Sequence, residues 1–357
     1  MSIDLSPLTS STRLLFSVEL KPLQGDRFQP TGFPSLGAAT YQTRDGAKLL
    51  VESAQSMANR MEATCWDAAA NKPIAPLSGI SHVTVTRRGR FLTDTMLEAH
   101  RLNSPYLLLN DDRSFLDPFL SDLRERLGEG VVDENTGLFT RKALAETFLK
   151  FDVGSILHGC FLSTNGVRLR KGDKKPSSIA GGRLRVARAL SSFVEASGVR
   201  VAASGGVKND HVNPSGVTQD GFGNVPFARD EFTAEHIHCH VNLDLAQIRG
   251  YGLGQEVERL LILLALHRVR RLLDGDLRLR TACDLEPVDG SIVTASRPIG
   301  FALPSLVDLE HDLPAAIETC RDSMVHTTVA FEGVLKKGKD DRSGGEEGEL
   351  ETGSDEG

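Results

Sequence analysis

The sequence predicts an α+β fold, and three observations predict it. First, His236, His238, His240, Asn242 and Asp244 alternate with Ile237, Cys239, Val241, Leu243 and Leu245, the period of two of a strand with one buried and one polar face. Second, after Gly250, Gly252 and Gly254, residues 255–273 read as a helix. Glu256 and Glu258 start it and Arg268, Arg270 and Arg271 end it, which suits the helix dipole. Its centre, residues 260–266, is apolar all round and should be deeply covered. Asp274-Gly275 stops it, with Gly275 expected in the left-handed region beyond the cap. Third, Leu277, Leu279, Thr281 and Cys283 alternate with Arg278, Arg280 and Asp284. Strand, crossover helix and strand, packed by one apolar face, make half of a ferredoxin-like βαββαβ fold, the fold of RNA-recognition modules. The other face of that sheet would carry three histidines and two arginines.

The remaining elements follow in order. Residues 1–12 are polar and expected to be loose. Residues 13–21 form a strand with Leu14, Phe16, Val18 and Leu20 inside. Residues 22–43 are a Gly/Pro-rich loop carrying Phe28, Phe33 and Tyr41; a loop this long is functional or disordered. A short apolar lead, 49–51, enters a helix at 52–69, with Ala54, Met57, Ala58, Met61, Cys65 and Ala68 on one face. Its opening turn, with Ser53, Gln55, Ser56, Asn59 and Arg60, offers free N–H groups that can hold a phosphate; an ordinary Ser-capped surface helix has the same sequence.

Residues 80–150 read as an inserted helical subdomain: a strand at 82–86, the basic cluster Arg87, Arg88 and Arg90, and helices at 93–102, 115–127 and 140–150. Residues 151–163 are apolar and expected to contain a strand. The segment 166–190 holds eight basic residues and one acid, Asp173. It reads either as a site for a phosphate backbone or as a solvated loop followed by the polar face of a helix at 184–196. A strand at 199–204 precedes an excursion, 205–233, that is a loop or a protruding hairpin. A short strand near 291–294 and a terminal helix within 314–337 complete the body.

The formal charge of the 357 residues is −7, unevenly placed. Residues 338–357 carry eight acids against two bases, so the body is close to neutral; this tail is expected to be disordered. Five cysteines without CxxC pairing read as reduced thiols. The apolar run 260–266 is too short to span a membrane. The three alternate histidines can bind zinc, or they are simply a polar sheet face. No GxSxG, Walker A, HExxH or dinucleotide fingerprint occurs. A non-enzymatic binding role without metal or cofactor is therefore expected.

The strand at 13–21, Leu-Val-Glu-Ser-Ala-Gln-Ser-Met-Ala-Asn-Arg at 50–60, His-Val-Asn-Leu-Asp-Leu-Ala-Gln-Ile at 240–248 and Leu-Arg-Thr-Ala-Cys-Asp-Leu-Glu-Pro at 279–287 together carry a resemblance. The chain resembles the CRISPR-associated backbone subunit of the type I Cascade effector, of the RAMP superfamily. Arg27-Phe28-Gln29-Pro30-Thr31-Gly32-Phe33-Pro34 is similar to the type I-U or I-G branch. The resemblance implies a modified RNA-recognition palm over residues 13–337, with the helical insertion at 80–150, the basic segment at 166–190 and a thumb-like hairpin at 205–233. It implies a cytoplasmic ribonucleoprotein for antiviral defence, in which copies stack head to tail along a guide RNA beside other Cascade subunits. The guide's bases stay free to pair with target DNA. Guide contacts are implied at Arg27 and Gln29, at Ser53, Gln55, Ser56, Asn59 and Arg60, at Arg168, Arg170, Lys171, Lys174, Lys175 and Arg183, and at Lys208. Glu52 departs from what a backbone binder prefers, and the sheet lacks the usual stacking aromatics. Related subunits cut RNA through an aspartate in the first long loop, so a metal-dependent ribonuclease using Asp26 is the alternative.

Overall fold

Period-two alternation builds the centre of the protein, a seven-stranded antiparallel sheet backed by two helices. The computed structural model describes residues 2–33, 37–108, 110, 112–127, 140–162, 184–208, 225–275, 277–290 and 292–333. Strand β1 (Leu14–Pro22) turns Leu14, Phe16, Val18 and Leu20 inward. The expected first loop is partly sheet: β2 (Thr40–Thr43) and β3 (Gly46–Glu52) pair as a hairpin, and the apolar lead at 49–51 is the inner end of β3. Helix α1 (Ala54–Ala63) is shorter than the expected 52–69. Beyond it the Asp67 carboxylate accepts from the N–H groups of Ala69 and Ala70 and turns the chain away.

β4 (His82–Arg87) and β5 (Arg90–Asp94) form a second hairpin. Residues 93–102 are not the expected helix. The Asp94 carboxylate accepts from the Met96 N–H and ends the strand in turns, and the chain then enters a 3-10 turn at Arg101–Asn103. Helices α2 (Leu116–Leu127) and α3 (Arg141–Phe151) stand where apolar periodicity put them. They join through Phe115, Phe119, Phe148 and Phe151, whose ring centroids lie 5.6–5.7 Å apart, the spacing of edge-to-face and tilted aromatic contacts.

Within the apolar stretch 151–163 a helix precedes the expected strand: Asp152 caps α4 (Val153–His158), accepting from the N–H groups of Gly154 and Ser155. Only β6 (Cys160–Leu162) is extended, and it pairs with β7 (Leu184–Val186). The helix expected at 184–196 is replaced by β7 and β8 (Leu190–Ser197). Leu190, Val194 and Ala196 are buried with Ser192 among them. That serine, its Oγ 3.3 Å from the Cys239 Sγ, interrupts the apolar alternation in the sequence.

β9 (Arg200–Lys208) and β10 (Val225–Thr233) pair along nine residues each, the protruding-hairpin alternative for the excursion. β11 (His236–Leu243) has the burial its alternation predicts. α5 (Gln255–Asp274) buries Leu260–Leu266, but Arg268 and Arg270 are buried too, at 0% and 2% exposure. They are core residues and not merely a dipole-matched end. Gly275 has φ −103°, so it is not left-handed; a Cβ there would meet the Arg271 carbonyl at 2.9 Å.

The second strand of the unit is split into β12 (Arg278–Arg280) and β13 (Cys283–Pro287) at Ala282, which has φ 57°. β14 (Thr294–Ser296) and β15 (Ile299–Ala302) form a hairpin beside β1. The last helix, α6 (Leu306–Thr319), starts before Pro314 because the Ser305 hydroxyl caps it, accepting from the Asp308 N–H. β16 (His326–Ala330) pairs parallel with β4.

The large sheet runs β12-β13-β1-β11-β8-β3-β2. β1 lies between β11 and β13, antiparallel to both, so α5 is a crossover between parallel strands. α1 packs against β8 and α5 on the covered face. The five cysteines are buried and unbridged. Among the described residues no helix is long and apolar enough to cross a membrane.

Candidate nucleic-acid interface

An open cleft of about 650 Å³ lies between the start of α1, the 3-10 turn at Arg101–Asn103, the end of α4 and the β6/β7 pair. Gln55, His100, Arg101, His158, Arg185 and Arg188 line it. Arg185 is exposed and Arg188 half-buried. Arg188 donates to the His158 carbonyl (3.1 Å), not to a carboxylate. Leu162 pairs with Leu184, one residue from the lining residues Phe161 and Arg185.

Beneath the cleft sits a buried charge cluster. Glu62, on the apolar face of α1, accepts from Arg101 through both oxygens (3.0 and 2.5 Å) and lies 3.6 Å from the Arg268 guanidinium. A Cβ on Gly154 would come within 2.5 Å of the Glu62 carboxylate, so glycine makes room for it. Burial works against the charge on Arg101, but Glu62 outweighs it and holds that guanidinium firmly protonated. Burial, and then the Glu62 charge, push the Asp152 carboxyl up to about 6. Burial, helped by Arg268, Arg101 and Arg188, holds His158 well below the ordinary histidine range. Burial and the nearby Arg101 likewise lower Arg188. Arg101, Arg188 and Arg268 thus stand against Glu62 and Asp152, so the cleft lining and the buried cluster, taken together, carry a positive surplus. Such a lining attracts oxyanions, which arginine forks bind well.

The cluster has a testable pH signature. Asp152 titrates above its ordinary 3.8, so the stability it contributes is full below that value and lost as pH rises through about 6. His158 is depressed and acts in the opposite sense, losing its contribution as pH falls below the ordinary 6.5. Asp152→Asn keeps a cap acceptor and removes only the first effect. Between pH 4 and 7, unfolding free energies should move in the variant's favour by roughly 3 kcal/mol, at about 1.4 kcal/mol per unit. Parallel curves for parent and variant would exclude this role.

The structure brings part of the expected contact set to the cleft. Gln55 is on its wall. Ser53 is the N-cap of α1, its hydroxyl accepting from the Ser56 N–H at 3.3 Å. Asn59 accepts from Arg101 at 3.4 Å. Arg60 turns away: it donates to Glu52 (3.1 Å) and to the Arg278 carbonyl (3.0 Å), and Arg280 also holds Glu52. This accounts for the acid at 52, which is buried and neutralised. Arg280 is therefore not on the open sheet face.

Arg27 and Gln29 belong to a different place, where the first loop meets the base of the β9/β10 hairpin. Phe28 and Phe232 exchange backbone hydrogen bonds of 2.9 Å there. Arg27 lies 3.3 Å from Glu231, and the Gln29 carbonyl accepts from Arg280. Asp26 lines a second cleft, of about 370 Å³, with Asp284 and Glu231. Lys208 is the last residue of β9. Arg168, Arg170, Lys171, Lys174, Lys175 and Arg183 lie outside the described residues, as does the tail 338–357.

His236, His238 and His240 form a ladder on the open sheet face, ring centroids 6.0 and 5.9 Å apart. His236 meets Glu19 at 2.8 Å and His240 meets Glu195 at 3.5 Å. Among the described residues no group of three His, Cys, Asp or Glu side chains could hold a metal ion.

The sequence did not single out Arg101, Arg185 or Arg188 as contacts, nor Glu62, Asp152 or His158 beneath them, and Arg268 entered only as a dipole-matched helix end. The available signal was Arg268 directly after the apolar run 260–266; an arginine buried there demands a buried acid. Glu62, beside Met61 in α1, supplies it.

Comparison with known proteins places these features in a class. A family model of CRISPR-associated proteins matches residues 14–201, more than half of the chain. The chain belongs to that family, described as CRISPR-associated protein GSU0053 (Cas_GSU0053). Among solved structures it is similar to a chain of a "CRISPR RNA-guided surveillance complex, pre-nicking", with 14% identity, 80% of this chain and 75% of that chain covered, and a TM-score of 0.37. It is also similar to Csc2 of Thermofilum pendens, with 9% identity, 88% and 79% covered, and a TM-score of 0.31. The comparison with curated proteins finds no match.

Proposed function

We propose that this CRISPR-associated chain is a guide-RNA-binding backbone subunit of a type I Cascade surveillance complex, of the type I-U or I-G branch. The observation that carries the reading is the arginine-rich lining of the Arg101–Arg185–Arg188 cleft, which falls within the family-matched span. A subunit that accepts any guide must hold phosphates and leave base edges free for target DNA; arginine forks do the first and read no bases. The strand order β13-β1-β11-β8, with α1 and α5 on one face, supports a ferredoxin-like palm of the RNA-recognition type. The β9/β10 pair supports a thumb. In this reading the chain acts in the cytoplasm without catalysis, and copies stack head to tail, so RNA length sets their number.

Coexpression with a CRISPR array and the other effector subunits tests it. Purified complex is expected to carry RNA of discrete length, with several copies of this chain per RNA. A complex that assembles free of nucleic acid overturns the proposal.

A further inference from the structure

We propose that the acidic C-terminal segment, residues 338–357, docks intramolecularly on the Arg101–Arg185–Arg188 cleft and holds it until RNA displaces it. The inference rests on reading that cleft as an oxyanion site.

Charge is the first argument. Between Ser343 and Gly357 the sequence has six acids and no base, while the rest of the protein is nearly neutral. The cleft is one of the places where the described surface carries clustered arginines; the β4/β5 turn, with Arg87, Arg88 and Arg90, is another. Among the described residues neither Arg185 nor Arg188 has a carboxylate within 4.0 Å. Carboxylates and phosphodiesters are oxyanions that the same guanidinium fork accepts, so the segment can occupy the site in RNA's place.

Position is the second. The Phe331 ring packs 5.1 Å from that of Tyr106, and Asn110 Nδ2 donates to the Ala330 carbonyl (2.8 Å). Tyr106 is three residues past Asn103, which lines the cleft, a span of at most about 11 Å. From Gly333 to the paired acids Glu346-Glu347 the chain can extend on the order of 40 Å. These acids therefore reach the cleft without any change in the body. Tethering also raises the local concentration of the segment to about the millimolar range, so a weak ionic contact suffices. A guide RNA, with many phosphates and several copies bound along it, outcompetes it, whereas a short stray RNA does not.

Two measurements test the proposal on a chain truncated after Lys337. A fluorescein-labelled peptide of residues 338–357 should bind the truncated chain saturably at low salt. Binding should fall at least several-fold with Arg185→Ala/Arg188→Ala, and vanish with a peptide whose Glu and Asp are replaced by Gln and Asn. Truncation should also raise the affinity of the chain for a short single-stranded RNA about three- to tenfold at low salt, and by less as salt rises. Absence of peptide binding, or binding indifferent to the arginine pair, overturns the proposal. Peptide seated on the cleft of a chain that binds no RNA supports the docking and overturns the guide-RNA reading. RNA bound at the cleft with no effect of truncation leaves that reading standing and overturns the docking.

Discussion

Replacing Arg185 and Arg188 by alanine should weaken binding of single-stranded RNA about 100-fold near physiological salt, with the fold unchanged by circular dichroism. Each guanidinium is positioned for a charge-assisted hydrogen bond to phosphate, worth about 1.5–3 kcal/mol, or roughly tenfold or more. The contacts are to backbone, so the loss should not depend on RNA sequence. The slope of log K against log salt should flatten by about 1.4, near 0.7 per phosphate on a single strand. Arg321→Ala is the control, an exposed arginine paired with Glu318 and absent from the cleft lining. Equal losses in control and test variants, or none in either, would remove the cleft from the RNA path.

Glu62→Ala should be the most destabilising single change near the site, by about 3–5 kcal/mol in chemical denaturation. Glu62 and Arg268 are both buried, at 1% and 0% exposure, and Arg101 at 4%. Among the described residues the three Arg268 side-chain nitrogens have no hydrogen-bond acceptor, so Glu62 at 3.6 Å is what balances them electrostatically. Without the carboxylate, two guanidiniums stay buried with only Asp152 nearby, among the described residues, to balance them. The double variant Glu62→Ala/Arg268→Met should recover part of the loss, because one of those charges leaves with its partner. A cost below about 1 kcal/mol for Glu62→Ala would mean the cluster does not bear on stability as argued.

The sequence was informative where one signal acted alone. β1 and β11 alternate without interruption, and the apolar stretch of α5 admits one reading, so these elements sit where their patterns put them. β8 was hidden by Ser192, a polar residue in the buried row, and by the basic residues preceding it. Residues 93–102 have helical spacing, but the Asp94 side chain captures the Met96 N–H locally, which competes with a helix. The site was half legible for a related reason. Basic residues such as Arg185 and Arg188 announce themselves by density. The acid that organises their floor is a single Glu in an apolar stripe, and its partner lies on α5, more than 200 residues away. No local pattern couples the two; only the packing of α1 on α5 does.

The parallel pairing of β16 with β4 sets a constraint on how the protein is made. Thr84 and His326, 242 residues apart in sequence, share a hydrogen bond of 2.9 Å across that pairing. At ribosomal speeds of about 5–20 residues per second, one edge of β4 is left without its neighbour for some 10–50 seconds. An unsatisfied strand edge of that kind is a template for adhesion to other nascent polypeptides. The interval before residue 326 emerges, rather than the stability of the finished molecule, is therefore when this chain is most exposed to misassembly.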